Sequence, residues 1–271
     1  MTDQPRTYFT DDSVVRRVHR EQVVGFAGPR ALLLMAAHPV AFEGFFASTG
    51  ALDDPYARLR RTGAVLDAIA WGPADRADRL TRRVRAMHRR VTGALPEAAG
   101  RFAAGTPYRA DDPELLLWVL GCLVDSSILV FQQYVARLDP EELDAYWHDY
   151  KVIGRLFGLR DADLPPRWTD FRAWFDGVVA SGDLHVTPRA RELGIEIVMR
   201  PPVPPQARPL LELANFITVG LLPAEVRRQY GFSWDPARAL ARRTGAEYVK
   251  RVVVPLLPRQ MRLVASARLA G

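Results

Sequence analysis

The chain has 271 residues, enough for one large domain with a sizeable core or for two small ones. Hydrophobic residues make up 48% and charged residues 25%, the balance of a soluble globular protein. The net charge of +6 rests on 35 arginines and only two lysines, but acids are interspersed and no basic face is interleaved with stacking aromatics, which argues against nucleic acid as a partner. In chain order, residues 1–12 are polar and lack the apolar core of a signal peptide, so a cytoplasmic location is expected. His19 lies beside Arg20 and Glu21 and reads as part of a solvated face. Residues 31–47 are apolar but are interrupted by His38, Pro39 and Glu43, which disfavours a membrane span; His38 is expected to cap or pack at a helix end.

Asp54-Pro55 opens a helix carrying Leu59, Val65, Leu66 and Ile69, which stops near Gly72-Pro73. Residues 74–91 form an amphipathic helix ending at Gly93, and residues 100–109 read as a loop with Gly105 and Pro107. Asp111-Asp112-Pro113-Glu114 supplies an N-cap, a first-turn proline and early acids. The helix that follows is apolar on nearly all sides, so it is expected to be a buried central helix near residues 113–136, with Cys122 as a small buried hydrophobe. One cysteine excludes both a disulfide framework and a Cys-based metal site. Asp125, in the middle of this helix, needs partners; a structural ion pair with an arginine of a neighbouring helix and a role in a pocket are the two readings.

Asp139-Pro140-Glu141-Glu142 repeats the start signal for a helix through about Phe157, closed by Gly158. Further helices are expected over residues 165–181, 187–199 and 209–222, and a last long one from about 234 toward 268, interrupted around Pro255 and Pro258. The Pro-rich stretch at 200–205 spaces two helices. Period-two alternation and internal repeats are almost absent. The expectation is an all-α, single-domain, multi-helix bundle over residues 1–271, with roughly nine to eleven helices.

A Gly-rich phosphate loop, His-Glu-x-x-His and Gly-x-Ser-x-Gly are all missing, which leaves five histidines as the candidates for chemistry. His148 sits among Tyr146, Trp147 and Tyr150 and is expected to be partly buried against them; His185 is expected at the surface. His88 lies beside Val84, Met87 and Val91 on the apolar face of its helix. It reads either as a core histidine with a hydrogen bond or as a neutral imidazole on a haem iron, with Arg82, Arg85 and Arg89 for the propionates. The basic residues are equally compatible with a solvated face. Arg58-Leu59-Arg60-Arg61-Thr62, one helix earlier, is either another solvent-facing cluster or the opposite wall of such a pocket.

Several strings together resemble one family, the mpaB and rubber oxygenase (latex clearing protein) catalytic domain. They are Gly28-Pro29-Arg30 through His38-Pro39, Asp54-Pro55 with Arg58 to Thr62, and Arg85-Ala86-Met87-His88-Arg89-Arg90-Val91-Thr92-Gly93. The most specific is Tyr108-Arg109-Ala110-Asp111-Asp112-Pro113-Glu114 running on to Trp118-Val119 and closed by Leu123-Val124-Asp125-Ser126; Gly154 to Gly158 and Gly220 to Pro223 add to it. The resemblance covers about residues 14–260. It implies an all-α, globin-like or related fold binding haem b, and dioxygen-dependent cleavage of carbon–carbon double bonds in polyisoprene or attack on a farnesyl chain. Carried over by position, it implies His88 as the iron ligand, with Arg85 beside the cofactor and Arg58, Arg61 and Thr62 on the distal side; Asp125 is the candidate acid–base group. The implied substrate is an apolar, alkene-bearing small molecule of isoprenoid or polyketide type.

Three positions depart from the family pattern. Where relatives carry a histidine between Trp-Val and Ala-Thr, this chain has Leu120; where many have Asp-His-Ser, it reads Ala47-Ser48-Thr49; and an arginine four residues after the ligand histidine is Thr92. These leave open the alternative of a haem-free paralogue working as a cyclase, an isomerase or an apolar-ligand-binding protein.

Overall fold

Proline at the first turn, preceded by a residue whose side chain caps the helix, recurs along the fold. In a computed structural model, which describes residues 6–47 and 54–269, such starts open many of the main helices. Asp54, Asp112, Asp139, Thr187 and Asp235 each accept a hydrogen bond from a first-turn amide, at 2.8–3.1 Å. Each is followed by a proline that has no amide to leave unsatisfied. Asp139 forms a full capping box with Glu142, whose carboxylate accepts from the Asp139 amide at 2.9 Å.

In chain order the helices are α1 (Val14–His19), α2 (Ala27–Ala37), α3 (Pro39–Phe42), α4 (Pro55–Trp71) and α5 (Ala74–His88). There follow α6 (Pro113–Tyr134), α7 (Pro140–Phe157), α8 (Trp168–Ala180), α9 (Pro188–Leu193) and α10 (Arg208–Leu221). The chain closes with α11 (Ala224–Gln229), α12 (Pro236–Tyr248), α13 (Val254–Leu256), α14 (Arg259–Arg262) and α15 (Ala265–Leu269). The architecture is all-α, as expected. The family position at Ser48 lies outside the described residues.

α6 is the axle. By length and composition it could cross a membrane, yet 78% of its most apolar window is buried inside the fold. α2 packs along it, and α1, α7, α8 and α12 also touch it. Gly121 lets α8 come close, because a Cβ there would stand 2.8 Å from the Trp174 ring. Trp118 stacks on Phe175 at 5.5 Å and Trp147 on Phe171 at 4.5 Å, joining α6, α7 and α8 into one apolar core. Cys122 is fully buried, as its apolar neighbours predict.

At the middle of α6 the structure resolves the question of Asp125. Its carboxylate lies between two arginines: Arg30 Nη1 of α2 stands 2.7 Å from Oδ2, and Arg172 of α8 grips Oδ1. Arg30 also donates to Ser126 Oγ at 2.7 Å and to the Leu221 carbonyl at 2.8 Å. Asp125 and Arg30 are 7% and 3% exposed, so this is a buried ionic cluster joining α2, α6, α8 and the end of α10.

Three features depart from the sequence reading. A two-stranded antiparallel hairpin pairs β1 (Thr92–Ala94) with β2 (Pro107–Arg109), where a plain loop is expected. Strands of three residues carry too little alternation to be read, and Gly93 serves as more than a helix terminator: a Cβ there would collide with the Tyr108 hydroxyl. The helix expected over 187–199 changes from α9 to a wider π-helical turn at Gly194–Met199. The last long helix likewise widens at Val249–Val253 and stops before Pro258, so α14 and α15 are separate short helices rather than its continuation.

The ionic cluster gives a direct test. Asp125→Ala leaves the buried Arg30 without its carboxylate, while the part-exposed Arg172 keeps Asp176, and is expected to cost about 3–5 kcal/mol, read from urea unfolding. Asp125→Asn keeps the shape and should fall between wild type and Ala. A cost below about 1 kcal/mol for Asp125→Ala would mean that the cluster does not hold the helices together.

Candidate functional site

α4 and α5 pack antiparallel through the tight Trp71-Gly72-Pro73 turn, which places the start of α4 next to the end of α5. The turn is close enough that a Cβ on Gly72 would meet the Ala68 carbonyl oxygen at 2.8 Å. α5 buries Ala74, Ala77 and Thr81 and exposes its arginine face. His88 is its last residue, and the next turn is closed by the Arg90 and Val91 amides donating to the Met87 and His88 carbonyls, each at 3.0 Å.

The half-buried His88 ring meets Phe45 edge-on, with centroids 5.3 Å apart and planes at 90°. Its Nδ1 is buried and has no hydrogen-bond partner among the described residues. Burial, reinforced by the positive charge of Arg58 and opposed by Asp111, pushes its pKa from 6.5 down to about 4. The imidazole is therefore neutral at pH 7 and keeps a lone pair available for bonding. Met87, expected on the same apolar face, is instead 46% exposed: one residue along a helix is a 100° turn, and His88 takes the inward direction.

Of the residues singled out on α4, Arg58 reaches this site. It is half-buried, and burial with the charge of Arg61 pushes its guanidinium down to about 10. Arg61 and Thr62 lie on the exposed side of α4. Arg85, one turn before His88, lies against the left-handed C-cap of α7: a Cβ on Gly158 would stand 3.4 Å from its Cδ. Its Nε is buried without a hydrogen-bond partner among the described residues. Asp111, whose charge is felt at His88, is held below the usual carboxylate range by Arg109, which donates to it at 3.0 and 3.1 Å. The structure thus brings together His88, Arg58, Phe45 and Asp111, with Arg85 one turn earlier on α5 against the α7 cap, while Asp125 is engaged in its own ionic cluster.

This donor set suits one kind of metal group. Among the described residues, no three His, Cys, Asp or Glu side chains gather into a metal cage. One neutral imidazole with nearby guanidiniums cannot hold a bare ion, but it matches a macrocycle that brings its own equatorial ligands and carries anionic edges. The unpartnered Nδ1 and Arg85 Nε are groups that such a ligand could satisfy.

The other histidines fall differently. His38 is the N-cap of α3, accepting from the Ala41 amide at 3.3 Å, as expected, with its ring near Phe102 and Trp118. His185 is exposed, as expected. His148 is exposed, contrary to expectation, and His19, expected on a solvated face, takes the place between the aromatics. Tyr146 and Tyr150 are four residues apart and share one face of α7, with His148 turned away; their hydroxyls lie 3.1 and 2.8 Å from His19 Nε2. The i,i+4 tyrosine spacing was the signal for this buried cluster. Phe45 carries no comparable signal, because its meeting with His88 is long-range.

Comparison with known proteins adds to this geometry. The family model described as ER-bound oxygenase mpaB/B'/Rubber oxygenase, catalytic domain, matches residues 16–262, so the chain belongs to that family. Similar proteins include one from Mycobacterium bovis and one from Mycobacterium tuberculosis, both described as uncharacterized. Each is 26% identical over 187 residues, covering 68% of this chain and 69% of the relative. No solved structure gives a significant match.

The site predicts an acid dependence. His19, His38 and His88 are all pushed to about 4 by burial. Their unfolded forms protonate near 6.5, so between pH 6.5 and 4 the unfolded chain binds more protons; stability is full above this window and falls as pH falls through it. Each histidine contributes up to about 1.4 kcal/mol per pH unit. Urea unfolding of His88→Phe across this range should show a shallower fall by about that amount; an unchanged slope would mean that His88 is not held neutral.

Proposed function

We propose that this chain is a haem-b-dependent oxygenase acting on an apolar, alkene-bearing small molecule of isoprenoid or polyketide type. Membership of the family supports an oxygenase-like role. The observation that carries the haem is His88, a neutral imidazole whose buried Nδ1 has no hydrogen-bond partner among the described residues, with the Arg58 guanidinium within electrostatic reach. Haem iron, when bound, would supply the binding and activation of dioxygen. In this reading His88 is the iron's protein ligand, and Phe45, edge-on to the ring, fixes its plane. Burial, helped by the charge of Arg58, holds the imidazole unprotonated, and Arg85 and Arg58 are the cations for the propionates. Arg61 and Thr62, exposed on α4, would stand at the entrance on the open side rather than in a closed pocket.

A second reading keeps the bundle without haem, as a cofactor-independent cyclase or isomerase or an apolar-ligand-binding protein. It is favoured by Leu120, at a family histidine position: it is 5% exposed and packs against Gly154 of α7, so this position offers an apolar side chain where relatives carry an imidazole.

The purified protein, or the protein reconstituted with haemin, is expected to show an intense Soret absorption band that His88→Ala abolishes. Arg58→Ala and Arg85→Ala should each weaken haem binding about tenfold while keeping the band position. Haemin added without spectral change, with an apolar metabolite retained in native mass spectrometry, would overturn the haem reading in favour of the second.

A further inference from the structure

At the other end of α6, its last turn meets α1 and the start of α7 around a cavity of about 250 Å3. Its polar wall has four arginines, Arg17, Arg20, Arg137 and Arg262, against two glutamates, Glu21 and Glu142. Both carboxylates are already engaged. Arg262 forks onto Glu21 with Nε and Nη2 at 2.7 and 2.8 Å, and Arg17 Nη2 donates to Glu142 at 2.6 Å. That leaves a surplus of two positive charges.

The surplus falls on Arg20 and Arg137. Arg20 Nε is buried, has no hydrogen-bond partner among the described residues, and stands 3.7 Å from Glu21 Oε1, within ion-pair reach but too far for a hydrogen bond to a carboxylate already forked by Arg262. Arg17 Nε is buried and unpartnered as well. Arg137 is exposed and makes neither an ion pair nor a hydrogen bond among the described residues. Opposite these groups Phe131, Val135 and Leu138 form an apolar wall, with Phe131 and Leu138 3% and 7% exposed. The α7 capping box has already used Asp139 and Glu142 on its own amides, so the arginines are the free donors here. The buried Nε groups of Arg17 and Arg20 are donors that an acceptor in the cavity would satisfy, since a buried donor without an acceptor costs free energy.

We propose that this cavity is a binding site for an organic anion: an oxyanion head held by Arg20 and Arg137, with a short apolar tail against Phe131, Val135 and Leu138. Guanidinium matches carboxylate and phosphate heads alike through paired N–H donors. The volume lies just below the range of about 300–1,000 Å3 that holds drug-sized ligands, so the tail is short. The site involves none of the residues around His88 and stands independently of the oxygenase reading.

Calorimetric titration of the full chain with octanoate, octanol and inorganic phosphate, each at fixed ionic strength, tests this. Octanoate is expected to bind more tightly than octanol or phosphate, and Arg20→Ala and Arg137→Ala to weaken it about tenfold each. Arg137, exposed and without an ion pair or hydrogen bond among the described residues, gives a variant expected to fold as wild type does, and His88→Ala should bind octanoate as wild type does. Octanol binding as tightly as octanoate, phosphate binding as tightly as octanoate, or octanoate binding unchanged in both arginine variants would each overturn the proposal.

Discussion

A carboxylate in the middle of the most apolar helix governs the arrangement of this bundle. Asp125 could not be buried alone, since an isolated charge in the interior costs many kcal/mol. Its two oxygens are met by Arg30 and Arg172, and each brings its helix with it. Arg30 then extends the constraint to Ser126 and to the carbonyl at the end of α10. Apolar packing alone would let α2 and α8 slide or rotate on the smooth surface of α6; a buried charge that must be met at one position sets the register of both. Gly121, one turn from Asp125, fits the same logic by letting the Trp174 ring settle against the α6 backbone.

Helix starts were legible in the sequence because their chemistry is local. An Asp or Thr followed by proline satisfies one amide and removes another within four residues, so Asp54, Asp112 and Asp139 announce their helices without help from the rest of the chain, and the starts at Thr187 and Asp235 are built the same way. The left-handed cap at Gly158, with φ near +110°, is equally local. The π-helical turns at 194–199 and 249–253 were not legible, because a widened turn is set by what packs against it. The charged run around His19 misled for the same reason. Glu21 looks solvent-bound beside Arg20, yet it is 2% exposed because its partner, Arg262, arrives from 241 residues away.

The candidate site shows the same division. The pattern put His88 on an inward face and Arg58 one helix away, and the α4–α5 turn brings the two within electrostatic reach. The pattern could not say which side of each helix looked inward at its end. Thus Met87, Arg61 and Thr62 turned out to be exposed, while Arg58 and His88 turned in. Phe45 and Asp111, which shape the surroundings of the imidazole, belong to segments whose approach depends on the bend after α2 and on the β1–β2 hairpin. Both are tertiary features with no short-range signature.

The pairing of Glu21 with Arg262 also bears on how the chain is made. The glutamate follows the first helix, and its counter-charge lies 241 residues further along the chain, so the two partners of this ion pair are synthesised far apart in time. The Val264 amide, bonded to the Arg20 carbonyl, seals the same junction. Until that late segment emerges, the nascent bundle carries a carboxylate that cannot be buried at low cost, so α1 and its neighbours cannot reach their final packing one after another. Closure of this junction therefore waits for α14, a contact of long sequence separation and correspondingly high loop-closure cost.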